Sequence, residues 1–291
     1  MISTSIAQIS ILAALFSAVA AADMQDGNQA LTLYQSTEYR SSLDVLSSTV
    51  RKDATVFCLM GRNYFMIGDY KKAIQALSKA TTMEPRNAEC ANWLGRAYGR
   101  QAETGSVLTA IGYATKARQM FEKSVALDPS NRKALGDLLT FYLRAPETVG
   151  GGIKRAEELA QHLAGRDPAE SHFAQAQIEE KRKDYYSAEQ HLRLARELDP
   201  ANPRRSLDLA ILLGKMGRLA ESDSMFTLAA TSAPSWAEIT FERARAYIVE
   251  QRNLEQAKRL LQRYVRSQLT PDDPPREEAE TLLNKINACC P

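Results

Sequence analysis

Three histidines, His162, His172 and His191, are the side chains of this sequence best suited to ligate a metal or move a proton near neutral pH. They fall at unrelated places in different helices. Neither an H-E-x-x-H pattern nor a Cys/His spacing that closes around a metal is present, so each reads as a surface or interhelical histidine. Gly150-Gly151-Gly152-Ile153-Lys154 has the residue types of an anion cradle, in which successive backbone amides point at a phosphate ahead of a helix. It lacks the G-x-x-x-x-G-K-[ST] spacing and no strand leads into it, so the glycines read as a bend into the next helix. Asp272-Asp273 belongs to a proline-rich turn, and the sequence has no G-x-S-x-G or G-x-G-x-x-G stretch. These absences point to a protein that is not an enzyme, with no cofactor, no metal and no small-molecule substrate.

What remains is binding. At 291 residues, 44% apolar and 25% charged, the chain has ample material for a core. A net charge of +2 lacks the strong basic excess that marks a nucleic-acid ligand. The elements that position any binding residue follow from a repeat. Pro85, Pro129, Pro168, Pro200 and Pro234 recur at spacings of 44, 39, 32 and 34 residues. Around the first of them, Phe57, Met60-Gly61, Tyr64, Ala73, Leu77, Ala80 and the turn Glu84-Pro85-Arg86-Asn87 fit a 34-residue helical hairpin. The glycine lets two helices approach, large apolar residues fill the seam, and the proline stops the second helix. A single hairpin cannot bury its own apolar face, so neighbours must stack.

This pattern resembles the tetratricopeptide repeat, W-x2-L-G-x2-Y…A-x3-F…P. The resemblance implies an all-α fold, a right-handed α-solenoid of stacked helix-turn-helix hairpins. The expected organisation is a signal peptide over 1–22, a degenerate repeat over 23–53, and repeats over 54–87, 88–131, 132–168, 169–202, 203–236 and 237–269. A capping helix and tail over 270–291 complete it. The stretch from about Trp93 to Lys285 also looks like a group of exported bacterial tetratricopeptide proteins without established activity. The carriers are Leu94-Gly-Arg-Ala-Tyr98-Gly-Arg100, Ala145-Pro-Glu-Thr-Val149-Gly-Gly-Gly152 and Asp272-Asp-Pro-Pro275.

Departures from the template are informative. The second repeat carries ten extra residues within Gly99 to Ala114, expected as a loop that either contacts a partner or covers a neighbour's flank. In the fourth, Glu179 stands where the template has Tyr, which predicts looser packing. In the fifth, Ser222 replaces the Ala at the helix crossing, and the sixth gains a residue near Arg252-Asn253. Ala279, Leu282, Leu283 and Ile286 share one face of the last helix, as a cap requires. Cys58, Cys90, Cys289 and Cys290 allow three full pairings. Cys58 and Cys90 lie on the first helices of adjacent repeats, where a bridge is conceivable, but nothing in a repeat stack needs one and buried free thiols are the default expectation.

In tetratricopeptide stacks the first helices of successive repeats line a groove. The resemblance therefore implies two inward rows: Arg62, Arg96, Thr140, Gln177, Ile211 and Arg245, and beside them Cys58, Asn92, Gly136, Phe173, Leu207 and Phe241. The N-terminal half is basic, with Arg100, Lys133 and Arg144 nearby, and the C-terminal half is more apolar. Arg62, Asn92, Arg96, Arg100, Lys133, Thr140 and Arg144 are thus the expected peptide-binding set, since guanidinium forks suit a carboxylate or an acidic segment. The expected activity is that of a scaffold or adaptor for a protein or peptide partner. The alternative is a structural subunit of a bacterial envelope complex that uses its convex face, loops and ends.

Residues Met1 to Ala22 contain no charged side chain, and the apolar run from Ile9 to Val19 ends in Ala20-Ala21-Ala22-Asp23. That reads as a secretory signal cut near Ala20 or Ala22, releasing a periplasmic or secreted protein. An uncleaved N-terminal membrane anchor is the alternative, although the run is short of the ~20 residues a spanning helix needs.

Overall fold

A computed structural model describes residues 25–289, with side chains to 287. The expected signal segment, the Cys289 side chain and Cys290 lie outside what it describes. All described regular structure is helical. After α1 (25–35) come α2 (Tyr39–Ser48), α3 (Ala54–Met66), α4 (Tyr70–Met83), α5 (Ala88–Thr104), α6 (Val107–Leu127) and α7 (Arg132–Arg144). A 3-10 turn (Glu147–Val149) then leads to α8 (Ile153–Ala164), α9 (Pro168–Arg182), α10 (Tyr185–Leu198), α11 (Pro203–Lys215) and α12 (Leu219–Ser232). Helices α13 (Ala237–Val249), α14 (Leu254–Arg266) and α15 (Arg276–Cys289) close the series. The chain divides into two compact units, Met1–Ala134 and Leu135–Pro291.

Short polar side chains start the helices. Asp53, Asp69, Asn87, Asn131, Asp167, Asp184 and Asn202 each accept a hydrogen bond from a backbone amide two or three residues on, satisfying donors that a helix start leaves open. Each hairpin then crosses at a small residue. A Cβ on Gly61 would stand 2.4 Å from Leu77 Cγ, and one on Gly95 2.7 Å from Phe121 Cδ1, so the glycines are what let α3 meet α4 and α5 meet α6. Where the partner position holds serine instead of alanine, its hydroxyl donates to the crossing helix. Ser222 bonds the Ala210 carbonyl and Ser42 the Ala30 carbonyl, each at 2.8 Å and fully buried. The identical bond puts the worn first hairpin in the same register as the fifth.

The turn between the two helices of a hairpin has its own rule. Thr37, Gly68, Lys183, Gly217 and Gln251 all adopt positive φ, from 52° to 80°, directly before the second helix starts. Only two of the five are glycine. The extra residue of the sixth repeat is taken up here, with Asn253 as a second left-handed residue beside Gln251.

Two expectations are corrected and a third holds. The ten extra residues of the second repeat form helix: α5 runs to 17 residues and α6 to 21, where α3 and α4 have 13 and 14. Gly105 and Ser106 alone join them. The fourth hairpin is not loose, because Ala176, Ala188 and Leu192 are fully buried at its crossing and Glu179, itself mostly buried, pairs with Arg182. The amides of Gly150, Gly151 and Gly152 donate to the carbonyls of Glu147, Pro146 and Tyr142, so this loop is a closed bend with no amide turned to an anion. At the C-terminal end, Ala279 and Ile286 of α15 are buried against Tyr247, Leu261, Tyr264 and Leu269, with Leu282 and Leu283 packed beside them.

Candidate functional site

In the first unit the expected basic row converges on one indole. Trp93, on α5, is almost wholly buried, with the Phe65 ring edge-on at 5.3 Å. Three cations from the alternate helices α3, α5 and α7 stand over it: Arg96 at 4.8 Å, Arg62 at 5.5 Å and Lys133 at 5.5 Å from the ring centre. Arg62 is also 4.4 Å over the Tyr34 ring. Cation–π attraction of this kind holds positive charge in place without neutralising it, because the ring offers a quadrupole and no counter-charge. Glu89 pairs with Arg62 at 2.7 Å and is itself largely exposed. The Nε of Arg62 is buried and has no acceptor among the described residues. A buried guanidinium donor left open is costly and is a natural place for a ligand oxygen.

A disulfide between Cys58 and Cys90 ties α3 to α5, with the Cα atoms 5.7 Å apart. Cys58 lies one turn before Arg62, and Cys90 one turn before Trp93. The bridge therefore fixes the two helices that carry most of the cluster.

The other expected site residues are placed differently. Asn92 is buried on α5. Its row was expected to point inward, but Cys58, Leu207 and Phe241 are buried with it, packed in the core rather than lining a groove. Arg100 is exposed, lies 5.5 Å from the Tyr70 ring, and is held by Glu103 on its own helix and the Tyr70 hydroxyl on α4, so its charge is engaged within the stack. Thr140 and Arg144 are exposed on α7, in the second unit.

The second unit corrects the expectation of an apolar half. Arg204 donates to both Glu238 oxygens at 2.8 and 3.0 Å and to Asp208 at 3.1 Å, and Arg245 pairs with Glu242 at 2.7 Å. Beneath them Arg205 and Glu170 form a buried pair at 2.6 Å. Burial pushes the Asp208 carboxyl up to about 6, against the opposing pull of Arg204 and Arg205. It raises Glu238 and Glu242 as well. None of these acids stood out in the sequence, because they occupy template positions with no characteristic residue type.

The histidines are also closer than their spacing suggested. His172 on α9 and His191 on α10 meet with their Nδ1 atoms 3.0 Å apart, while His162 lies on α8. Among the described residues no three acids, histidines or cysteines group around one point, and no helix is long and apolar enough to cross a membrane.

A family model for the tetratricopeptide repeat matches residues 58–131. A tetratricopeptide repeat protein of Parabacteroides merdae aligns with 91% of this chain and 99% of its own, at 14% identity and a TM-score of 0.57. The human IFIT1 dimer, solved with PPP-AAAA, aligns over 83% of this chain and 53% of its own, at 20% identity and a TM-score of 0.52. Identities this low speak to the fold alone. Residues 58–131 carry the tetratricopeptide repeat, and the described chain has the fold of these structures, all-α and built of consecutive helical hairpins. Among curated proteins, the Caenorhabditis elegans BBSome complex member bbs-4 is 29% identical over 91 residues, which is 31% of this chain and 18% of the worm protein. The match thus spans less than a fifth of that relative.

Proposed function

We propose that this protein is a non-enzymatic interaction scaffold that takes an acidic segment of a protein partner at the face of the first unit centred on Trp93. The observation that carries the reading is the convergence of Arg62, Arg96 and Lys133 on one indole. Three cations held over a π face, one with an unused buried donor, form a pre-organised receptor for carboxylate oxygens. The fold is consistent with this, since tetratricopeptide stacks present extended surfaces to protein segments.

The reading includes export from a bacterial cell after cleavage near Ala20 or Ala22. A disulfide inside the first unit supports it, because such bonds persist in oxidising compartments. The second reading, an assembly subunit of an envelope complex, is favoured by one feature: Val107, Leu108 and Ile111 are 88%, 95% and 65% exposed at the tip of the lengthened hairpin.

The test is a pull-down from an envelope extract with the mature protein and with Arg62→Glu/Arg96→Glu. Losing a charge-assisted hydrogen bond costs about 1.5 to 3 kcal/mol, roughly ten- to a hundredfold in affinity. The folded double variant should therefore lose its partners, and wild-type binding should weaken with salt. Undiminished recovery by the double variant would overturn the site. Recovery lost instead on Leu108→Ser/Ile111→Ser would establish the assembly reading.

A further inference from the structure

At the tip of the lengthened hairpin α6 begins with Val107, Leu108 and Ile111, spaced to share one helix face and left uncovered. From Thr104 to Thr115 no side chain carries a charge. Behind the aliphatic tip the residue types change in order. Tyr98 of α5 and Tyr113 of α6 stand 6.0 Å apart between ring centres, and the exposed Lys116 ammonium lies 5.6 Å from the first ring and 6.0 Å from the second. Glu103, the last acid before the tip, is paired with Arg100.

We propose that this tip seats in a lipid surface, with Val107, Leu108 and Ile111 at the acyl boundary and Tyr98, Tyr113 and Lys116 as a collar at headgroup level. The inference does not rest on the Trp93 face, and a protein contact competes with it for the same tip. Aliphatic, then tyrosine, then lysine is the order of polarity that a membrane interface presents. A tyrosine ring is apolar with a polar edge, and a lysine stem lies along apolar surface while its ammonium stays in water. The spacing fits the depth. At about 1.5 Å per residue, Tyr113 lies about 7.5 Å and Lys116 about 12 Å behind Leu108 along the helix, against the ~5 to 10 Å that interfacial elements reach. Size argues against a second copy as the occupant. The patch is a few hundred Å2, so a two-fold pairing would bury roughly 800 Å2 in total, short of the ~1,200 Å2 of a stable interface. Lipid needs no complementary surface of that extent. Among the described residues no helix is long and apolar enough to cross a membrane, so the seat is shallow.

The test uses the full chain carrying Leu108→Trp and vesicles of phosphatidylcholine alone, whose zero net charge gives the basic face around Trp93 little to hold. Measured against wild type, the added indole should move to shorter emission wavelength on vesicles and be quenched by bromine atoms on shallow acyl carbons. Leu198→Trp places the same indole at the exposed end of α10 and should do neither. Ile111→Asp added to Leu108→Trp should weaken the response by at least about tenfold, since burial of one aliphatic side chain is worth that much. Circular dichroism checks that each variant stays helical. Should the Ile111→Asp variant not fold, the comparison of Leu108→Trp with Leu198→Trp still decides. An added indole that stays in water at position 108 would overturn the proposal. So would equal quenching at both positions, as an N-terminal apolar segment acting alone would give, or a response untouched by folded Ile111→Asp.

Discussion

At the scale of single residues, the left-handed position before each second helix separates what the amino acid supplies from what the fold imposes. Gly68 and Gly217 adopt positive φ without strain, whereas Thr37, Lys183 and Gln251 hold it against their Cβ atoms. Lys183→Gly should therefore raise stability by about 0.5 to 1 kcal/mol, seen as a higher urea midpoint. A midpoint at or below wild type would mean that the lysine side chain offsets the strain. Asp208 gives a pH signature. Its folded-state value of about 6 lies above its ordinary 3.8, so between those values the folded protein holds the extra proton. Stability from this group is greatest below about pH 4 and falls as pH rises through about 6. Asp208→Asn should flatten that part of the stability–pH curve, and an unchanged slope would assign it elsewhere. The sequence shows the glycines of these turns but not the three strained residues, because nothing in their types announces a left-handed backbone. It shows Asp208 as an ordinary acid, because burial is a property of the stack.

At the scale of elements, the repeat period carried most of the fold. Gly61, Ala73, Leu77, Gly95 and Phe121 were readable as the crossings they make, since a 34-residue period states which residues are equivalent. It does not state which residues face each other inside one hairpin. That is why His172 and His191, 19 residues apart, looked unrelated. The ten-residue insertion misled for another reason: Gly105 and the polar residues before it resemble a loop, yet Gly99 and Gly112 sit inside long helices and Gly105 with Ser106 makes the whole turn between them. The Cys58–Cys90 bridge was one of several open pairings and closes a separation of 32 residues. Its removal by Cys58→Ala/Cys90→Ala should cost about 3 to 4 kcal/mol on the chain-entropy model. Thermal melts with and without reductant check this, the double variant melting alike in both.

At the scale of the whole molecule, stability in a repeat stack is close to a sum of local terms and nearest-neighbour interfaces. Trp93 reports on the first unit and Trp236 on the second, and they are the two tryptophans of the chain. Reduction of the disulfide should lower the denaturant midpoint seen by Trp93 in a Trp236→Phe background more than the midpoint seen by Trp236 in Trp93→Phe. Identical shifts would mean that the chain unfolds as one cooperative body. Deleting Arg276 to Pro291 should act from the other end. It uncovers Tyr247, Leu261 and Tyr264, and should lower the Trp236 midpoint and promote self-association.

The Arg62–Glu89 pair makes the receptor its own competitor. An incoming acid must first evict a tethered one, so the measured affinity is the intrinsic affinity divided by one plus the closing constant of that pair. An exposed ion pair contributes ~0.2 to 1 kcal/mol, so the tether withholds at most about a fivefold gain. Glu89→Ala should then bind the same acidic partner more tightly, by up to about fivefold, through removal of a side chain that never touches it. The tethered acid also sets a threshold for selection. Weak single carboxylates lose to it, while segments that reach Arg62, Arg96 and Lys133 together do not.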